Sequence, residues 1–341
     1  LKKLQSLQVP LAVILALVFV TLRWYFNFAR FAFEATYLIF LELISLYFIL
    51  RAVRSKNLHE IALSAIFAGL AYNSYVVGRM FFVVPLFYLI VFYLGGVDKR
   101  HLRGADNSRY KTPEVIRRVF YFLIPFLIVI APLTLYFSQN PDIRVSQQLY
   151  FLDPNLELPQ KISFFFSNIW ENMKMFIVSG AGDANGRHNY PFKPALNPVI
   201  FILFIAGLLS ALKNWKHRYN SVFLVYFLVG FFPTILTYPH ENPNMLRTVT
   251  ILPSVVYLVG LAIQASYNFI TRLSLKPPLR WTHSKFVKIL PLFLLISILL
   301  GLVGSSLYEF RTYFIFQKLV FEEAFDVRDG LERVHELRPP Q

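Results

Sequence analysis

The chain has 341 residues, 56% of them hydrophobic and only 16% charged, whereas a soluble domain carries roughly a quarter charged residues. Its net charge of +15 would point a soluble chain toward nucleic acid. Here the basic residues sit in short loops between apolar runs, and the absence of cysteine excludes disulfides, thiolate chemistry and Cys-ligated metals.

The apolar runs cover 9–22, 35–50, 61–76, 80–96, 119–137, 198–212, 221–238, 248–270 and 289–307. Several fall short of the roughly 20 residues of a perpendicular span, and aromatics at their ends, such as Trp24, Tyr25 and Tyr93, extend them into the interface. The reading is all-α: a polytopic bundle of about nine transmembrane helices over 1–308, with a tail over 309–341. With the N-terminus inside and the loops alternating, segments 1–8, 51–60, 97–118, 213–220 and 271–288 lie inside. They hold 20 Lys/Arg against 4 Asp/Glu, and the outside segments hold 14 of each. That sorting predicts N-terminus inside and C-terminus outside.

Asn27-Phe-Ala-Arg30-Phe-Ala-Phe-Glu34 follows the first run. Arg30 and Glu34, four residues apart, would pair on a continuous helix, and such a pair is often only local. Glu42, inside the second run, is costly in lipid unless it is paired or neutral and faces protein. Arg79 follows Tyr72-Asn-Ser-Tyr75 in a tight outside turn.

The connection over 138–197 is far longer than a simple loop. Its segment 159–178, PQKISFFFSNIWENMKMFIV, reads as a helix lying in the interface plane; the alternative is a soluble loop helix packed on its neighbours. Next comes Ser179-Gly-Ala-Gly-Asp183-Ala-Asn-Gly-Arg187-His188-Asn189-Tyr-Pro191. Its glycines permit tight turns and close backbone approach. Arg187, His188 and Lys193 bring positive charge suited to a phosphate, although a plain Gly/Asn/Pro turn has the same composition. A later outside loop, Pro239-His240-Glu-Asn-Pro-Asn-Met-Leu-Arg247, leads into a helix containing Pro253. Arg247 would touch a lipid phosphate there or snorkel to headgroups. No metal-spaced histidine pair, Walker loop, nucleophile elbow or dinucleotide fingerprint occurs. Neither cofactor nor metal is expected, and nucleic acid is not an expected partner.

Three of these segments carry a resemblance: Trp24-Tyr-Phe-Asn-Phe-Ala-Arg30-Phe-Ala-Phe-Glu34-Ala, Gly182-Asp-Ala-Asn-Gly-Arg-His-Asn-Tyr-Pro191, and Pro239 to Arg247 with Pro253. Together they resemble the GT-C superfamily of polyprenyl-phosphate-sugar glycosyltransferases, in the protein-mannosyltransferase and aminoarabinose-transferase-like group. The resemblance implies a transferase of the prokaryotic plasma membrane serving the cell envelope. The implied partners are a polyprenyl-phosphate-linked sugar, membrane lipids, and a glycan, lipid or protein acceptor. A donor phosphate needs several cations at the outer face, and Arg187, His188, Arg247, Arg30 and Arg79 all fall on predicted outside segments, so they are the expected ligands of the donor phosphate or sugar, with Asp183, Asn189, His240 and Glu34 as secondary candidates. The family's acidic catalytic residue lies in the first extracytoplasmic loop, and nothing near Leu1 corresponds to it. The chain therefore reads as N-terminally truncated, with its catalytic base unassigned. A transporter or lipid flippase and a non-catalytic membrane scaffold are the alternatives; the halves show no repeat and no matched pair of broken helices, which weighs against a transporter.

Overall fold

The computed structural model of the protein describes residues 2–30, 34–55, 57–95, 112–275 and 285–320. Its regular elements are helices, with no strand among the described residues. Helix α1 (Lys2–Thr21) breaks at Leu22 into the short α2 (Arg23–Arg30), the two meeting at 62°. Helices α3 (Glu34–Ser55), α4 (Leu58–Ser74), α5 (Val83–Gly95) and α6 (Thr112–Gln139) follow, with a 3-10 turn over Val76–Met80 between α4 and α5. The long connection contains α7 (Ile143–Gln148) and α8 (Leu158–Lys174). Then come α9 (Pro198–Lys213), α10 (Arg218–Ile235), α11 (Leu252–Leu275) and α12 (Lys285–Arg311), the last passing into a π-helical turn over Thr312–Gln317. Residues 309–317 thus continue a bundle helix.

Each apolar run of the sequence falls on a helix, but length divides them. Among the described residues, four helices are long and apolar enough to cross a membrane: Glu34–Ser55, Pro113–Gln139, Arg218–Ile235 and Val249–Phe269. The bent pair α1–α2 makes a fifth if it counts as one span. Helices α4, α5 and α9 have 17, 13 and 16 residues. Only 11% of the apolar window of α6 is buried, and Phe120, Ile124, Leu127, Ile128 and Leu135 are all exposed. A helix that is apolar outward and little buried has lipid as its solvent. This is a membrane protein.

Two apolar clusters build the interior. One gathers Trp24, Phe28, Phe176, Phe204 and much of α11; the other gathers α4, Phe81, Tyr88, Phe122 and Phe126. Helices α3 and α10 contribute to both. Between them Tyr226 of α10 donates a hydrogen bond to the Glu42 carboxylate of α3, and both side chains are buried. The costly carboxyl therefore faces protein, as expected. Ser45 of α3 donates to the Ser64 carbonyl of α4 at 2.8 Å, a polar tie of the kind that holds helices where water is absent.

Helix α8 has its amphipathicity turned outward. Asn168 and Asn172 are fully buried on one side. The Asn168 amide donates to the Ile235 and Thr237 carbonyls at 2.9 and 2.6 Å, and Asn172 donates to Asn242 Oδ1 at 2.7 Å. The opposite face carries Leu158, Ile162, Phe166, Trp170 and Met173, all exposed. The spacing of four, four, four and three residues puts them on one stripe. This is the segment read from the sequence as an interfacial helix. Its N-terminus is closed by a reciprocal capping box between Glu157 and Gln160.

Helices α9 and α11 approach closely at Gly207. A Cβ there would lie 1.8 Å from the Leu258 carbonyl oxygen. Gly207→Ala must therefore force the two helices apart, and a loss at the upper end of about 1–3 kcal/mol is expected for such overpacking. Gly304→Ala, whose Cβ would meet nothing within 4 Å, should be tolerated. Thermal midpoints of the detergent-purified variants check this. A Gly207→Ala protein as stable as its parent would contradict the contact.

Candidate functional site

The break after α1 turns Arg23 inward, and Arg23 is 1% exposed. All three guanidinium nitrogens are used. Nε donates to Glu309 Oε2 at 3.0 Å, Nη2 donates to the Pro194 carbonyl at 2.8 Å, and Nη1 donates to Asn189 Oδ1. The other Glu309 oxygen accepts from the Asn197 amide at 2.8 Å. Asn197 in turn caps α9, its Oδ1 accepting from the Ile200 amide at 3.1 Å, ahead of Pro198 at the first helical position. One buried ion pair thus joins α2, α12, the start of α9 and the loop before it.

That loop is stitched to itself. The amides of Gly180 and Gly182 donate to the Phe192 carbonyl at 3.0 and 3.2 Å, and the Phe192 amide donates to the Asp183 carbonyl at 3.1 Å. A Cβ on Gly182 would sit 1.9 Å from the Lys193 carbonyl oxygen, so the close backbone approach read from the sequence is real at this glycine. Phe192 itself adopts φ 62°, a left-handed conformation uncommon outside glycine. The loop's closure compensates for that strain.

At the centre lies Asp183, 3% exposed. Its Oδ2 meets His188 Nδ1 at 3.0 Å and accepts the Met245 amide at 2.7 Å. The Met245 carbonyl accepts from Trp24 Nε1 at 2.8 Å. Asn27 donates to the Arg187 carbonyl. Gln317 donates to Asn27 Oδ1 at 3.0 Å and to the Gly186 carbonyl at 2.9 Å. Three segments distant in sequence, around 24–30, 182–191 and 239–247, therefore meet in one polar junction, with residues 309–317 as a fourth contributor.

The expected site residues divide within it. His188 and Asn189 are buried in its hydrogen-bond framework together with Asp183. Arg187 is exposed at its surface. Arg247 Nη2 donates to Glu241 at 2.8 Å, while its Nη1 is buried with no hydrogen-bond partner among the described residues. Lys193 donates to Thr312 at 2.7 Å and lies 4.0 Å over the Tyr308 ring. Arg30 stacks on Tyr313 and Phe314 of the π-helical turn at 5.4 and 5.6 Å. His240 is exposed and stacks on Tyr238. Arg79 is apart, over Phe137 and Tyr72 at 5.0 and 5.9 Å, and no described hydrogen bond ties it to the junction. Glu34 is exposed. The expected pairing of Glu34 with Arg30 runs across residues 31–33, which lie outside the described residues.

Tyr238, below α8, donates to Asp153. That bond and the Asn155 amide hold the Asp153 carboxyl below the usual carboxylate range. Its contribution is present above the ordinary aspartate pKa and is lost as pH falls through the lowered one.

The sequence alone does not single out Arg23, Glu309 or Gln317. The signal was one basic and one acidic residue at the ends of two apolar runs on the same predicted side. Among the described residues no three His, Asp or Glu side chains group as metal ligands. No protein-family model, curated protein or solved structure matches the chain.

Removing Asp183 tests the framework. Asp183→Ala leaves the Met245 amide and the His188 ring each without its acceptor, at about 1–3 kcal/mol per buried group. Amide hydrogen exchange over 185–189 and 244–247 should accelerate together. Acceleration in one segment only would mean that Asp183 does not couple them.

Proposed function

We propose that the protein is a membrane glycosyltransferase, or a large part of one, that transfers a sugar from a polyprenyl-phosphate donor, with the polar junction as the seat of the donor phosphate. The observation that carries this reading is the direct hydrogen bonding of the three segments that carry the GT-C resemblance, through Trp24, Asn27, Asp183 and Met245. A resemblance scattered along a chain gains weight when its parts form one place.

In this reading a carboxylate takes the proton of an acceptor hydroxyl. The hydroxyl oxygen bonds the anomeric carbon, and the carbon–oxygen bond to phosphate breaks. The lipid phosphate leaves with the electron pair, and cations stabilise its charge. Arg247 suits that task because its guanidinium is partly desolvated and one of its terminal nitrogens has no protein partner. Arg187 and Lys193 add charge at the rim. His188, held by Asp183, is a positioning residue for the loop that presents Arg187. The base that takes the proton is unassigned.

The same reading carries the full topology: nine spans in the plasma membrane of a prokaryote, N-terminus inside, C-terminus outside, and α8 lying along the outer surface. Shorter helices such as α4 and α9 then cross with help from interfacial aromatics. The native chain has no cysteine, so single cysteines report directly. Asn155→Cys should react with an impermeant maleimide in intact cells, and Asn214→Cys only after permeabilisation. The reverse pattern, or reaction of both from one side, would overturn the topology.

Donor binding is tested by photo-crosslinking with a diazirine-bearing polyprenyl phosphate in nanodiscs. Arg247→Ala should weaken capture by about 10–100-fold, the range for losing one hydrogen bond to a charged group, while the uncharged polyprenol is captured equally weakly by both proteins. Equal capture of the phosphate by parent and variant would remove Arg247 from the site.

A further inference from the structure

A second charged place lies at the other end of the bundle. Helix α9 runs from Asn197, within the junction, to Lys213, and 16 residues of helix span about 24 Å. Between the end of α9 and the start of α10 the chain opens a cleft of about 940 Å³, closed on one side by Tyr257, Leu261 and Gln264 of α11. Lys213 and Lys216 line it, and both are exposed.

The polar floor is built rather than incidental. Asn220 is 3% exposed. Its amide donates to the Asn214 carbonyl at 3.0 Å, and its Oδ1 accepts from the Tyr257 hydroxyl at 2.7 Å. That fixes the turn carrying Lys213 and Lys216 against α10 and α11. Tyr219 forms a wall, and two guanidiniums converge on its hydroxyl: Arg218 Nη2 at 3.0 Å, and Arg54 from the end of α3. Neither arginine has a carboxylate partner among the described residues. Arg218 Nη1 is buried without any hydrogen-bond partner there. Two like charges meeting on one neutral oxygen repel, and an anion between them would reverse the sign. Helix α10 also begins without a side-chain cap at His217. Its first amides therefore add positive potential on the same side.

Basic residues at a membrane boundary ordinarily serve orientation and snorkel outward singly. Arg54 and Arg218 do otherwise, turning to one hydroxyl beside a cleft. Trp215, 59% exposed, and Leu261 give that cleft apolar surface next to its charge. We infer that this cleft binds a phosphate group, with Lys213 and Lys216 as its ligands and the arginines on the Tyr219 hydroxyl adding positive potential beside it. The phosphate belongs either to an anionic phospholipid headgroup with its chains against Trp215 and Leu261, or to a small soluble phosphate compound. The inference stands on residues outside the polar junction and does not depend on the proposed transferase activity.

The test uses the full purified chain and three probes: dioctanoyl phosphatidylglycerol, dioctanoyl phosphatidylcholine and inorganic phosphate. Binding is read by thermophoresis at low salt. The variant is Lys213→Gln with Lys216→Gln, two exposed positions whose replacement should leave the thermal midpoint without ligand unchanged. Phosphatidylglycerol binding that exceeds phosphatidylcholine binding, and that weakens about tenfold in the variant, supports a lipid headgroup. Inorganic phosphate binding that weakens to the same degree supports a soluble phosphate. Equal binding of the two lipids with no effect of phosphate, or unchanged binding of every probe by the variant, would overturn the inference.

Discussion

The buried contact between Arg23 and Glu309 constrains everything else at its end of the bundle. Two charges removed from water are tolerable only when every remaining donor and acceptor is satisfied. Here the remaining guanidinium nitrogens go to Asn189 and Pro194, and the second carboxylate oxygen goes to Asn197. Each of those partners is itself committed elsewhere. Asn197 caps α9, and the Asn189 amide holds the Lys193 carbonyl at 2.7 Å. The ion pair therefore fixes a loop that would otherwise be a glycine-rich turn, and that loop presents Arg187 and seats Asp183. The break between α1 and α2 is part of the same constraint, since a straight helix would carry Arg23 toward lipid.

The two ends of the bundle treat charge in opposite ways. At the junction the cations are held by carboxylates, carbonyls and aromatic faces, and one buried nitrogen of Arg247 has no hydrogen-bond partner among the described residues. At the far cleft the lysines and arginines have no acidic partner among the described residues. The difference fits a framework that must be rigid at one end and a surface that meets mobile anions at the other. Helix α8 belongs to the first end. Its asparagines clamp the 235–242 segment, and its other face carries an exposed apolar stripe.

Much of this was legible in the sequence, for local reasons. The apolar runs became helices because their length and composition leave little else in a bilayer. Residues 159–178 read as an amphipathic interfacial helix, and α8 carries that stripe. The loop's glycines read together as permitting close approach, and at Gly182 the Lys193 carbonyl sits where a side chain would be, whereas a Cβ on Gly180 would meet nothing within 4 Å. Asp183, His188 and Arg247 fall in the segments that meet. What was not legible is pairwise and distant. Arg23 lies 286 positions from Glu309, and at the end of an apolar run it reads as a snorkelling residue. Glu309 fell in a segment read as a tail, because the apolar run ends at Leu307 while α12 continues to Arg311. Arg79 was grouped with the others on sidedness alone, and sidedness does not fix where on the rim a residue sits.

The most direct test of this account is a double-mutant cycle on Arg23→Met and Glu309→Met, with stability read from thermal or denaturant unfolding of the purified protein. Each single change strands the other charge in a buried, water-poor site and should cost about 3–5 kcal/mol. The double replacement removes both charges and should cost much less than the sum. A strongly non-additive cycle is the predicted result. Two small and additive effects would show that the pair is not the tie that holds α2, α12 and the loop together.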